Sequence, residues 1–286
     1  MKSLRVLLIV AASATLLVST VGAAYASPTL VEPVISTVST SLPASNSYHR
    51  ATTCNNEMLQ SGTYSHGLTV TGTCTIPDGA QVTIKGPVTV QPKATLNAIT
   101  TSTVHIIGNV NVLRGALLEL GCSVQLTQPG QGGTPPECPN GVSDTTVHGN
   151  ITGFGALTMR LYGLNNVRGN ITILGGGQTV TGPNASSCEE HPGALNLPIK
   201  DSTVDGNITV VGWHGCWMGV FRIAQHGSTV LLNNKTADSD SMEIATNTIR
   251  GNLICYGNNT APQVGDSHGT PNVVSGKVLG QCKRLS

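Results

Sequence analysis

From Val82 onward the chain sets apolar and polar positions in triplets. Val82-Thr83-Ile84, Val88-Thr89-Val90 and Ala94-Thr95-Leu96 follow one another every 6 residues, and Val104-His105-Ile106, Val110-Asn111-Val112 and Ala116-Leu117-Leu118 repeat them 22 residues later. Side chains alternate across a strand, so each triplet turns its outer two residues to one face and its middle residue to the other. A single triplet has nothing to bury against. Stacked coils bury a continuous column and pair each backbone group with the coil above or below. The pattern therefore predicts coils of three short strands and three corners.

A second pattern, apolar-x-Gly-Asn-apolar-polar, marks one of the corners. It occurs at Ile106 to Val112, Val147 to Thr152, Val167 to Ile173, Val204 to Val210 and Ile249 to Cys255, with looser copies at Ile84 to Val90 and Val274 to Val278. The glycines are residues 86, 108, 149, 169, 206, 251 and 276, so the gaps are 22, 41, 20, 37, 45 and 25. These read as one or two steps of a common coil, some stretched by insertions. Both Gly and Asn tolerate positive φ, which suits a corner. In-register coils would stack Asn109, Asn150, Asn170, Asn207 and Asn252 as a ladder of amides. A sandwich with Gly-Asn hairpins is the rival, but hairpins would not force one turn to recur at a common multiple.

The expected fold class is all-β, a right-handed parallel β-helix with disulfide-bearing caps and inserted loops. Residues 1–26 read as a signal peptide: Lys2 and Arg5, an apolar run from Val6 to Val18, and Ala24-Tyr25-Ala26 as the cleavage site. Residues 27–50 read as a flexible Ser/Thr/Pro-rich leader. Residues 51–286 form the solenoid, with an N-terminal cap at about 51–81 and a C-terminal cap at about 256–286. Proline- and glycine-rich stretches, Gln128 to Ser143 and Pro183 to Pro198, read as inserted loops. No C-terminal sorting motif is visible, so no membrane anchor is expected.

Composition narrows the class. Of 286 residues only 10% are charged and 3% aromatic, against about 25% charged in ordinary domains. Losing Lys2 and Arg5 takes the formal charge from +1 to −1, a near-neutral balance that argues against nucleic-acid partners and electrostatic membrane attachment. All eight cysteines lie beyond the signal peptide, which for an exported chain implies disulfides. Sequential pairing, Cys54–Cys74, Cys122–Cys138, Cys188–Cys216 and Cys255–Cys282, would let each bridge close a loop onto its neighbouring coil. Localisation is expected to be secreted, extracellular or cell-wall associated.

Four groups could carry chemistry. Trp213, His214 and Trp217, with Phe221, concentrate the aromatics beside the insertion bearing Glu189, Glu190 and His191; Trp beside carboxylates suits sugar binding. Glu189, Asp205 and Arg250 are the catalytic candidates, although Glu189 and Glu190 are adjacent and point apart on a strand. Asp238, Asp240 and Glu243 offer oxygen ligands for Ca²⁺, against the simpler reading of a solvated acidic loop. The residues before the corner glycines, Ile107, His148, Arg168, Asp205 and Arg250, would stack, with Arg168, Asp205 and Arg250 forming a surface charge ladder. Thr89, Thr152, Thr172 and Thr209 would form an outward threonine ladder of the kind that orders water on ice-binding solenoids, with Asn111 and Ile254 interrupting it; threonine also suits any solvated strand. No Gly-x-Ser-x-Gly elbow is present.

The hexads from Val82 to Leu118 and the Gly-Asn corners resemble right-handed parallel β-helix repeats, both bactofilin-like scaffolds and the pectate-lyase-like superfamily. With the signal sequence and cysteine-bearing ends they also look like uncharacterised secreted proteins of actinobacterial type. The chain departs from bactofilin-like proteins in its cysteines and export signal, and no lyase signature matches residue by residue. The resemblance implies either a structural or interaction solenoid, binding cell-wall or extracellular polysaccharide or protein partners, or a polysaccharide lyase or hydrolase. An ice-binding surface is a third expectation.

Overall fold

In the computed structural model the described residues are 50–123, 141–178, 188, 195–237, 240–265 and 269–286. The expected signal peptide, nearly all of the leader, and most of both insertions lie outside them. The described chain is a parallel β-helix. Its strands fall into three parallel sheets of 10, 8 and 9 strands, and each strand pairs with the one a full coil later.

The first sheet shows the register most plainly. Val88 pairs with Val110, then the column continues through Ile151, Ile171, Ile208, Thr229, Leu253 and Val278. The triplets behave as their alternation requires. Val88, Val90, Val110, Val112, Ile171 and Ile173 are 0% exposed, whereas Thr89, Asn111 and Thr172 between them are only half-buried. Each such aliphatic side chain contributes about 1.5–3 kcal/mol on burial, and stacking makes one uninterrupted core from Cys54 to Leu285.

Coils begin earlier and end later than the sequence suggested. Thr52–Cys54, Glu57–Met58 and Gly62–Tyr64 already form one complete coil inside the expected N-terminal cap. At the other end Val273–Val274 and Val278–Gly280 are still strands, and only the 3₁₀ turn Gln281–Arg284 closes the stack. The end coils were hidden because they lack the apolar-x-apolar triplet: Thr52, Gly62 and Gly280 stand in register with Leu68, Val82 and Cys255.

The corner glycines have a different cause from the one expected. Residues 108, 149, 169, 206, 227, 251 and 276 do not adopt positive φ. They are small because coils meet there: a Cβ on Gly206 would lie 2.5 Å from the Gly169 carbonyl oxygen, and one on Gly251 would lie 2.5 Å from that of Gly227. Left-handed backbone instead occupies the other two corners, where even Asn233 (φ 53°), Asp201 (φ 55°), Arg222 (φ 51°) and Thr246 (φ 59°) adopt it.

The asparagine ladder forms, and its main bond runs from backbone to side chain. Asn150 N–H donates to Asn109 Oδ1 at 2.8 Å, Asn170 to Asn150 at 2.8 Å, and Asn207 to Asn170 at 2.8 Å. The ladder continues through a copy of the motif absent from the expected set, His226-Gly227-Ser228. Ser228 N–H donates to Asn207 Oδ1 at 2.8 Å, and Ser228 Oγ accepts from Asn252 N–H at 2.9 Å. The 45-residue gap thus holds two coils, whereas the gaps of 41 and 37 are single coils with insertions.

Three of the expected disulfides are present: Cys54–Cys74, Cys188–Cys216 and Cys255–Cys282, with Cα separations of 5.9, 5.6 and 5.3 Å. Cys122 is also disulfide-bonded; its expected partner Cys138 lies outside the described residues. Bridges closing loops of this length stabilise by about 3 kcal/mol each, and they are of the kind that persists in an oxidising environment. Among the described residues no helix is long and apolar enough to cross a membrane.

Candidate functional site

Because the inward positions are committed to the core, only outward positions can differ between faces. The ten strands of the first sheet contain no Asp, Glu, Lys, Arg or His. Their outward middle column runs Thr53, Thr69, Thr89, Asn111, Thr152, Thr172, Thr209, Val230, Ile254 and Leu279, in unbroken register. Neighbouring rungs of a sheet stand about 4.8 Å apart. On one side the column is flanked by the amide ladder. On the other, where strands lengthen to four residues, it is flanked by a second outward column, Phe154, Leu174, Val211, Leu232 and Tyr256. Phe154 is 56% and Tyr256 51% exposed.

The first face therefore has two parts. From Thr53 to Thr209 its middle column is hydroxyl and amide. From Val230 to Leu279 the same position turns aliphatic. The expected threonine ladder is thus present and longer than its four members, joined by Thr53 and Thr69 and closed by Val230 as well as Ile254. The apolar flanking column was readable in the runs Ile-Thr-Gly-Phe, Ile-Thr-Ile-Leu and Leu-Ile-Cys-Tyr, whose fourth residue must point outward if the third points in.

The second sheet is the opposite case. Glu119 and Arg160 pair at 3.1 Å, both largely covered. Lys200 Nζ lies 5.5 Å from the Tyr162 ring centroid and 5.0 Å from that of Trp217, while Trp217 stacks on Phe221 at 5.8 Å. Trp217 Nε1–H donates to Glu243 Oε2 at 3.2 Å. Arg222 forks onto Asp201, which also accepts from Ser123 Oγ–H at 2.9 Å. These groups point away from the helix axis, yet Tyr162, Phe221 and Glu243 are 5%, 2% and 1% exposed. The groups engage one another largely under cover, with Arg160 Nε left without a hydrogen-bond partner among the described residues.

The candidates from the sequence are distributed over these faces. Trp213, expected to hold a ligand, is 1% exposed and packs in the core, where Asn234 Oδ1 accepts its backbone N–H at 2.9 Å. His214 pairs through its backbone with Gly177 and Lys235 at a corner. Trp217 and Glu243 do meet, on the second sheet. Asp205 sits at a corner of the third sheet, accepting from Asn166 Nδ2 at 3.2 Å and lying 3.3 Å from His226 Nδ1. The side chain beside it is therefore His226, not Arg168 or Arg250 of the expected charge ladder. Arg250 is exposed at a later corner. Asp205 and Arg250 share no groove with Trp217, and Glu189, Glu190, His191 and Asp238 lie outside the described residues. Asp240 is exposed while Glu243 is buried, and among the described residues no three His, Cys, Asp or Glu side chains are grouped to hold a metal ion.

Two buried polar columns escaped the sequence reading. Asn234 and Asn258 stack inside the stem, Asn234 N–H and Nδ2–H both donating to Asn258 Oδ1 at 3.1 and 3.0 Å. Asn258 Nδ2–H donates onward to Gln281 Oε1 at 3.1 Å. Asn247 and Asn272 do the same at another corner, with Nδ2–H to Oδ1 at 2.7 Å. Asn234 and Asn258 look like glycosylation sequons in the sequence, but their amides are consumed by this interior ladder.

No protein-family model matches the chain, and no curated protein or solved structure does either.

Proposed function

We propose that this chain is a secreted interaction solenoid that docks onto neutral, extended polysaccharide at the cell envelope or outside the cell. The observation that carries this reading is the uncharged first face. Its middle column of six threonines and Asn111 repeats in register over seven rungs, from Thr53 to Thr209, with the amide ladder beside it from Asn109 to Asn207 and the apolar Phe154, Leu174 and Val211 beside the last three rungs. Polysaccharide chains offer the same mixture, hydroxyl edges and apolar ring faces at a short repeat. A face without ions can meet them without desolvating charge. Export is supported by the signal-like first residues and by the disulfides.

The test is co-sedimentation of the oxidised mature chain with insoluble cellulose, chitin and isolated cell walls, in low salt and in molar salt. Retention that survives high salt supports the reading, since ionic attachment would be screened. Absence from every pellet, or release by salt, overturns it. A second reading rests on the threonines alone. Six of the first seven rungs are threonine, the arrangement expected of a surface that orders water. Thermal hysteresis and ice shaping by the same preparation would move the assignment to ice binding.

A further inference from the structure

Phe154, Leu174, Val211, Leu232 and Tyr256 stand in register on five successive rungs of the first sheet, beside its middle column. The two aromatic members are the most exposed of the five, Phe154 at 56% and Tyr256 at 51%, with Leu174 at 38%. Their surroundings leave them open. A Cβ built on Gly175 or Gly212, the residues that follow Leu174 and Val211, would meet nothing within 4 Å. Tyr256 lies down over the next coil because Gly280 has no side chain there; a Cβ on it would come 2.8 Å from Tyr256 Cε1. Arg114 flanks Gly155, yet Phe154 keeps its exposure. We propose, resting on the docking reading above, that Phe154 and Tyr256 are two stacking stations for one glycan chain laid along the solenoid axis. They select flat β-1,4-linked ribbons of the cellulose and chitin type over coiled α-linked chains.

Direction comes first. The strands of this face are only three or four residues long, about 10–13 Å, whereas its chemistry repeats rung after rung at about 4.8 Å. A polymer gains repeated contacts only by running along the axis. The aromatic spacing then selects the linkage. Phe154 and Tyr256 are four rungs apart, about 19 Å. In a β-1,4-linked ribbon each ring is turned over relative to its neighbour, so one ring face returns every second sugar, close to the span of two rungs. Four rungs are two such repeats, and both aromatics meet the same face of their sugars. An α-1,4-linked chain winds into a coil and does not hold two rings flat along a straight line of that length. The strand supplies the other half of the contact. Thr152 stands two residues before Phe154 on the same face of one strand, so a ring that lays its apolar C–H face on Phe154 turns its hydroxyl edge toward the threonine column. The column and its strands carry no charge, so an uncharged sugar docks without stripping water from an ion.

Binding isotherms of the oxidised mature chain on cellulose, chitin and granular starch, at matched surface area, test this. Binding to at least one of the two β-1,4-linked polymers is expected, with affinity for starch lower by about tenfold or more. Phe154→Ala and Tyr256→Ala should each weaken binding to the β-1,4-linked polymer about tenfold, whereas Phe154→Trp, which keeps a stacking ring, should preserve it. Circular dichroism and intact disulfides establish that each variant is folded. A parent chain that binds none of the three polymers overturns the docking reading and this proposal with it. A parent chain that binds starch as tightly as cellulose and chitin overturns the proposal alone and leaves docking to the threonine rungs. So do folded Phe154→Ala and Tyr256→Ala chains that bind like the parent.

Discussion

The outer faces of the first and second sheets are built by the same coils and obey the same inward rule, yet they are used in opposite ways. On the first, ten strands without a single charge repeat one outward residue type after another and leave it accessible. On the second, Glu119, Arg160, Lys200 and Glu243 alternate with Tyr162, Trp217 and Phe221, and the groups bind one another under cover. A repeated accessible column is a surface. A covered network of mixed chemistry is a strut. The difference teaches that in a solenoid an aromatic or a carboxylate is a poor guide to the site unless its exposure is known.

If this contrast is right, outward substitutions on the second sheet should cost stability and those on the first should not. The largest effect is expected from Trp217→Ala. It removes the ring that stacks on Phe221 and leaves Glu243 without its indole donor, so the unfolding free energy should fall by about 3 kcal/mol, read as a lower urea midpoint under oxidising conditions. A change of under about 0.5 kcal/mol, the range of an ordinary surface substitution, would break the comparison.

Gly206→Ala sharpens it at the boundary between faces. The added Cβ meets the Gly169 carbonyl oxygen at 2.5 Å and Asn170 Oδ1 at 2.7 Å, so overpacking should cost about 2 kcal/mol. Gly175→Ala meets nothing within 4 Å and has only its φ of 61° to resist it; it should cost about 1 kcal/mol. Equal losses for the two would mean that backbone conformation, not coil contact, selects the corner glycines. Asn170→Ala deletes one rung of the amide ladder and should cost about 1 kcal/mol, because the orphaned Asn207 N–H is near solvent. Smallest of all, Thr172→Ala should alter stability by no more than about 0.5 kcal/mol, while weakening polysaccharide retention.

Much of the fold was legible because a solenoid writes its geometry locally. Val88-Thr89-Val90 and Val110-Asn111-Val112 announce both their alternation and their spacing, and the Gly-Asn corners gave the ladder and three cysteine pairs gave their bridges. What stayed hidden depended on contact between coils. Nothing local in His226-Gly227-Ser228 says that a serine hydroxyl can stand in for an amide oxygen. Trp213 and Trp217 are four residues apart and read as one cluster, but a corner separates them, and one turns into the core while the other turns out. Nothing local marks Asn234 and Asn247 for burial, yet the interior accepts them because the next coil supplies each with a partner. Exposure, which decides the site, is a property of the stack.

The central claim, that the threonine part of the first face is the docking surface, is tested most directly by one paired sedimentation assay. The oxidised mature chain carrying Thr89→Lys and Thr172→Lys is compared, on the polysaccharide that retains the parent chain, with a chain carrying Thr83→Lys and Thr146→Lys on the third sheet. The account predicts that the first pair abolishes retention while the second pair, equal in charge and also outward, keeps it. Retention by the first pair, with loss in the second, would contradict it.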